Sequence, residues 1–175
     1  MSSIYDLHFI KLSEFKDDRG SFVKIFDHNS YRDQQKFCVK QVNISVNAIR
    51  GTVRGMHTQA LSKPEKKIVT CNSGAVLDVL IDLRKSSPTY SYIESYELSS
   101  KSGIGILVPS GVFHGFQTLE DNTILTYLHD VEYSACDQLS VCPLSEEILK
   151  YWQFDVTSIS DKDANAIKLK DYEGV

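Results

Sequence analysis

The chain has 175 residues, 42% of them hydrophobic and 24% charged, the composition of an ordinary globular protein and not of a disordered or low-complexity one. That length fits one domain of roughly 100–200 residues with a sizeable core, so 1–175 is expected to fold as a single domain. A formal net charge of −4 and an isoelectric point near 5.7 leave no basic stripe for a nucleic acid. No export leader and no apolar run of ~18 residues is legible, so neither a membrane partner nor a location outside the cytoplasm is expected.

Taken in chain order, short β-branched and aromatic runs follow one another at Phe22–Phe26, Cys38–Val46, Lys67–Cys71, Val76–Leu83, Tyr90–Leu98, Ile104–Val108 and Thr123–Tyr127. Turn signals separate them at Asp18-Arg19-Gly20, Asn72-Ser73-Gly74, Ser87-Pro88 and Pro109-Ser110-Gly111. Many short strands with such punctuation predict an all-β barrel or sandwich. Helical pattern is confined to a polar stretch around Ser30–Lys36 and to Ser145–Trp152, where Ile148, Leu149 and Trp152 recur at helical spacing. Both read as peripheral. Cys38, Cys71, Cys136 and Cys142 show no paired metal-ligand spacing and are expected to be reduced packing residues.

Two strands carry more polarity than a simple core needs. In Val76–Leu83 one face bears Leu77, Val79, Ile81 and Leu83, and the other Val76, Asp78, Leu80 and Asp82. Gln41, Asn43 and Ser45 alternate with Val42, Ile44 and Val46, which suits either a solvated face or the interior of a barrel that binds a polar ligand. Arg54, His57, Gln59, Lys67 and His114 add cationic and imidazole groups and tilt the reading towards a binding interior. His57 and His114 each follow a glycine-containing turn, which suits a barrel mouth, whereas His8, His28 and His129 take the default structural reading.

In order along the chain, "DDRGSF" (17–22), "KQVNIS" (40–45), "VRGMHTQ" (53–59), "KKIV" (66–69), "GAVLDVLIDLRKSSPTY" (74–90), "VPSGVFHGF" (108–116) and Tyr133 form a string that resembles the dTDP-4-dehydrorhamnose 3,5-epimerase family over nearly the whole chain. The resemblance implies a cupin jelly roll with short peripheral helices, a homodimer with exchanged strands, and a nucleotide-sugar substrate. It also implies inversion at C3, C5 or both of a 4-keto-6-deoxy sugar, supplying a cell-surface polysaccharide such as lipopolysaccharide, or a glycosylated metabolite. Gln59 stands where metal-binding cupins place a second histidine, so no metal and no other cofactor is expected.

The same resemblance implies roles for particular residues. His57 matches the base and Asp163 the carboxylate that orients it. Lys67 matches the cation at the enolate oxygen, and Tyr133 the acid on the opposite ring face. Arg54 and Arg19 match arginines that meet the diphosphate, for which a guanidinium fork is suited. Phe22, Gln41, Asn43, Gln59, Asp78 and His114 match pocket positions, with Arg19 and Phe22 reaching the partner subunit's site. Leu128, Ala135, Lys24 and the segment "SVCPLSEE" (140–147) depart from the family pattern, leaving the sugar, the nucleotide and the number of inverted centres open. A 3,4-ketoisomerase and a non-catalytic nucleotide-sugar binding protein are the alternatives.

Overall fold

In a computed structural model, described here for residues 3–27, 37–134 and 137–175, the regular structure is dominated by antiparallel strands. These are β1 (His8–Lys11), β2 (Ser13–Asp17), β3 (Gly20–Lys24), β4 (Gln41–Asn47), β5 (Val53–Gln59), β6 (Lys67–Ser73), β7 (Ala75–Asp82), β8 (Ile93–Ser99), β9 (Ile104–Val108), β10 (Val112–Thr118), β11 (Thr123–His129) and β12 (Gln138–Ser140). Two short α-helices follow, α1 (Glu146–Leu149) and α2 (Asp161–Ala164), then a 3-10 turn at Leu169–Asp171. His28, the Ser30–Lys36 stretch, Ala135 and Cys136 lie outside the described residues.

One five-stranded sheet runs β1-β9-β6-β11-β4 and the other β12-β5-β10-β7-β8, while β2 and β3 pair only with each other. Facing sheets in this order give the expected jelly roll. The barrel's closed end is filled by Val69, Leu125, Val76, Leu80, Val112 and Phe116, part of a core cluster that also takes in Ile4 and Leu7. A second apolar layer covers the outside of the β12–β8 sheet, where Val79, Ile81 and Phe113 meet Ile148, Trp152, Tyr172 and Val175. A third, around Ile68, Leu107, Leu128 and Phe37, covers the outside of the other sheet.

The two faces of β7 are therefore both buried, and the mixed one points into the barrel. Val76 and Leu80 join the inner core and Val79 and Ile81 the outer layer. Asp82, fully buried on the mixed face, is structural: it accepts hydrogen bonds from Arg84 Nε at 2.8 Å, Ser87 Oγ at 2.6 Å and Thr89 Oγ1 at 2.7 Å, pinning the turn into β8. Burial opposes ionisation of its carboxyl, and these donors nevertheless hold it below its usual value.

The C-terminal segment crosses the outer face and returns to the barrel mouth. Gln117, buried in β10, accepts from the backbone N–H groups of Gln153 and Phe154 at 2.9 and 3.0 Å and donates to Phe154 O at 2.7 Å. The N–H of Val53 then donates to Ser158 O at 2.8 Å, and Ser160 caps α2 by accepting from the N–H of Asp163 at 3.1 Å. A polar side chain inside an outer apolar layer is stable only when its groups are met in this way.

Strands β1, β2, β5, β10 and β12 were not legible as runs, because glycine, charge and short length break their patterns. Cys71 and Cys142 are buried as expected, and burial pushes the Cys71 thiol up to about 11. Cys38 is exposed, contrary to the packing role expected of it. It stands before β4, at the margin of the cover over the first sheet.

Phe113 is fully buried and meets the Tyr172 ring edge-on at 5.2 Å, so it couples the sheet to the C-terminal segment. Phe113→Ala is expected to cost about 3–5 kcal/mol, read as a lowered urea midpoint with an unchanged slope.

Candidate functional site

Between the sheets, above the apolar plug, opens a cavity of about 510 Å³. Its wall is set by alternation: Lys67 follows Val69 outward on β6, His114 follows Phe116 on β10, and Tyr127 and His129 follow Leu125 on β11. The interior thus grades from aliphatic to ionisable towards the mouth.

β5 contributes Arg54, His57, Thr58 and Gln59 through an irregularity. His114 is the register partner of His57 and Phe116 that of Arg54, a shift that places one extra residue in β5. Arg54 and His57, three apart, therefore both reach the cavity. Glycine is required at this point: a Cβ on Gly55, at φ +121°, would lie 2.5 Å from the Cα of Gly115. His57 and His114 are register partners facing each other across the sheet; His114 follows the turn at Pro109–Gly111, as the sequence suggested, whereas Gly55 beside His57 lies within β5 and not in a turn.

His57 Nε2 lies 2.7 Å from Oδ1 of Asp163, whose other oxygen lies 3.4 Å from the N–H of Gly55. An ionised carboxylate only accepts, so Nε2 is the nitrogen that donates to it, and Nδ1 is the ring nitrogen left outside that bond. Burial opposes ionisation of Asp163, but the hydrogen bond and charge of His57 hold its carboxyl below the usual range. The His57 side chain is 30% exposed and that of Asp163 6%, so the ring is the more open of two groups that both line the cavity.

Lys67 Nζ donates to the carbonyl of His57 at 3.3 Å and stands 3.9 Å from Glu65 Oε2. Burial pushes this ammonium down, against the pull of the Glu65 and Asp78 carboxylates. Asp78 and His114 form a fully enclosed pair, Oδ1 against Nε2; burial lowers the imidazole against the opposing charge of Asp78. His114 lines the cavity and Asp78 lies behind it.

Tyr133, on the loop before β12, is half exposed and donates its hydroxyl to Gln138 Oε1 at 2.7 Å, an oxygen that also accepts from Lys162 Nζ at 2.8 Å. Its backbone N–H donates to Gln41 Oε1 at 2.9 Å, and the Gln41 amide donates to Asn43 Oδ1 at 3.0 Å. Gln59 faces the backbone of Ser134 at 3.2 and 3.3 Å. Arg54 Nε donates to Asn47 Oδ1 at 2.8 Å.

The cavity thus brings together His57, Lys67, Tyr133, Asp163, Arg54, Gln59, Asn43 and His114. Arg19 and Phe22 stand outside it, on the exposed β2–β3 hairpin, and Arg19 is bound to Asp17 at 2.5 Å. The sequence reading missed Glu65, Tyr127, His129, Gln138 and Lys162 in the lining. His129, taken as structural, lines the cavity and donates Nδ1–H to Glu65 at 2.9 Å. Its spacing of two from Tyr127 was the available signal, lost because the predicted strand stopped at Tyr127. Burial pushes the Tyr127 phenol far up, so its hydroxyl stays protonated. Among the described residues no three His, Cys, Asp or Glu side chains are grouped to hold a metal ion, and no helix is long and apolar enough to cross a membrane.

Comparison with known proteins gives the same picture. The dTDP-4-dehydrorhamnose 3,5-epimerase family model matches residues 1–171. A dTDP-4-dehydrorhamnose 3,5-epimerase of Sinorhizobium fredii is 39% identical over 134 residues, 76% of this chain and 69% of that protein. A crystal structure of the Bacillus anthracis dTDP-4-dehydrorhamnose 3,5-epimerase with TDP and PPi bound superposes with a TM-score of 0.91 at 34% identity, covering 97% of each chain. A 3′-monoepimerase from Streptomyces bikiniensis in complex with dTDP-quinovose superposes at 0.89 with 30% identity, covering 97% of this chain and 86% of that one. The chain belongs to the dTDP-4-dehydrorhamnose 3,5-epimerase family of isomerases.

Proposed function

We propose that the chain inverts C3, C5 or both of a dTDP-linked 4-keto-6-deoxy sugar by enolisation, with its own side chains as base, electrostatic partner and acid. The observation that carries this reading is the His57–Asp163 pair at 2.7 Å beside Lys67 Nζ, 3.3 Å from the carbonyl of His57, in one cavity. Base and cation are thus fixed to the same short piece of β5.

The C4 ketone acidifies the neighbouring C–H bonds. His57 Nδ1 takes a proton, the C–H electron pair forms a carbon–carbon double bond, and the carbonyl π pair moves to the oxygen. The Lys67 ammonium stabilises that enolate oxygen in a water-poor site. Tyr133 returns a proton to the other face while the oxygen pair re-forms the ketone, and the phenolate and imidazolium re-equilibrate with solvent. One proton leaves and one arrives, so the reaction balances without an oxidant or a redox cofactor. Asp163 keeps the ring in the tautomer with a free Nδ1.

Arg54 meets the diphosphate, and Gln41, Asn43, Gln59, Asp78 and His114 shape the sugar pocket directly or from behind. The whole chain acts as one domain in this reading, since α2 near the C-terminus supplies the partner of a base on β5.

A homodimer belongs to the same reading. Val42, Ile44 and Val46 on the outer face of β4 are 55%, 66% and 64% exposed, and Phe22 on the hairpin is 72% exposed, an apolar row that a partner subunit would cover. Arg19 and Phe22 would then enter the partner subunit's cavity.

Three outcomes test this. In deuterated buffer, His57→Asn is expected to abolish loss of the C3-H and C5-H proton signals of dTDP-4-keto-6-deoxyglucose while dTDP binding persists; exchange at the wild-type rate would remove it as the base. The wild-type protein in that assay reports one or two inverted centres. Tyr133→Phe is expected to keep measurable exchange but lower product formation at least about a hundredfold, and normal product formation would place the acid elsewhere. Ile44→Asp is expected to convert a dimer into a monomer in sedimentation velocity, and an intact dimer would show that β4 is not the interface.

A further inference from the structure

Lys67 and His129 are register partners where β6 and β11 reach the cavity. Glu65, just before β6, serves both: Oε1 accepts from His129 Nδ1 at 2.9 Å and Oε2 lies 3.9 Å from Lys67 Nζ. The three side chains are 7%, 13% and 9% exposed for Glu65, His129 and Lys67. Withdrawing three ionisable groups from water in one wall is costly unless they compensate each other, and the proton transfers proposed above make no use of Glu65 or His129.

The arrangement continues beyond the pair. With Nδ1 donating to Glu65, the opposite nitrogen of His129 lies 3.4 Å from the Asn43 amide nitrogen. Asn43 accepts from Gln41, and Gln41 accepts from the backbone N–H of Tyr133. One line of polar contacts therefore runs from the Lys67 ammonium to the segment that carries Tyr133, spanning β6, β11 and β4.

We propose that Glu65 and His129 are positioning residues for the epimerisation: Glu65 balances and aims the Lys67 ammonium, and His129 ties that cation to the loop bearing Tyr133. The inference rests on the reading of Lys67 as the partner of the enolate oxygen.

Charge supports it. The ionisable groups facing Lys67 are Glu65 beside it, His57 from β5, Asp78 from β7, His114 from β10 and His129 from β11. Glu65 and Asp78 are the acids among them, and Asp78 is engaged by His114. Burial pushes the Lys67 ammonium down and both carboxylates pull it back up. Glu65→Gln keeps an acceptor for His129 while removing the charge, so the ammonium then loses its proton at lower pH.

The test is the pH profile of kcat and KM for dTDP-4-keto-6-deoxyglucose, with proton exchange at C3 and C5 as a second readout. In Glu65→Gln the alkaline limb of kcat is expected to move down by about one pH unit or more. Activity at mildly alkaline pH falls roughly tenfold and recovers on acidification, with KM within about twofold of wild type. A purely structural residue would lower activity without moving the limb, and a wild-type limb in a folded Glu65→Gln protein overturns the proposal. Should Glu65→Gln fail to fold, His129→Gln decides: a lowered kcat at unchanged KM supports the proposal and a wild-type kcat overturns it. Lys67→Ala separates the two levels. Wild-type exchange in Lys67→Ala would sink the enolate reading itself, whereas loss of exchange there with a wild-type Glu65→Gln profile would sink only this inference.

Discussion

The geometry of the site hangs on one hydrogen bond, His57 Nε2 to Asp163 Oδ1, made between residues 106 positions apart. Its length is fixed by two independent anchors. On one side the irregular step in β5, with Gly55 against Gly115, turns His57 towards the cavity. On the other the C-terminal segment is brought back by Gln117, by the Val53 to Ser158 bond and by the cap of Ser160 on α2. Since α2 has a single turn of four residues, its own hydrogen bonds cannot hold it; tertiary contacts on the outer face of the second sheet position Asp163. The outer apolar layer is thus part of how His57 is oriented, although none of its residues touches the cavity.

The second constraint is electrostatic. Three imidazoles reach the wall and each has its own carboxylate, His57 with Asp163, His114 with Asp78 and His129 with Glu65. A buried ion without a partner would either lose its charge or open the barrel to water. Pairing keeps the local charge small and fixes ring orientation, so the groups hold their aim before a substrate arrives. Lys67 is met by a peptide carbonyl and by the more distant Glu65, and it lines the cavity. A cation so placed would be stabilised further by an anion developing beside it, as the proposed enolate would.

The fold class was legible because β6, β7, β8, β9 and β11 carry β-branched runs between turn signals. Two of the strands that were not legible, β5 and β10, bring Arg54, His57, Gln59 and His114 to the cavity. β5 contains two glycines' worth of irregularity in partnership with β10, and its polar residues point inward, so alternation alone reads it as a loop. Asp78 and Asp82 looked alike on the same face, yet one pairs with His114 and the other pins a turn; nothing local distinguishes them, because their partners lie on other elements. Asp163 and Tyr133 had no local signal and were found only through family resemblance. Glu65 and His129 were missed because their significance is mutual, across 64 positions.

β4 shows why assembly and site shape are linked. Its polar residues face the cavity and its aliphatic ones face outward, the reverse of an ordinary surface strand. It is the edge of its sheet, and Val42, Ile44 and Val46 are exposed among the described residues; a free apolar edge invites pairing with another chain. In the proposed dimer the partner would seal this row and press on the backbone that carries Gln41 and Asn43, the residues that reach the Tyr133 segment. A wall strand braced from outside is stiffer than one facing water, so the preorganisation asked of the polar groups inside would be supplied in part by the apolar contact outside.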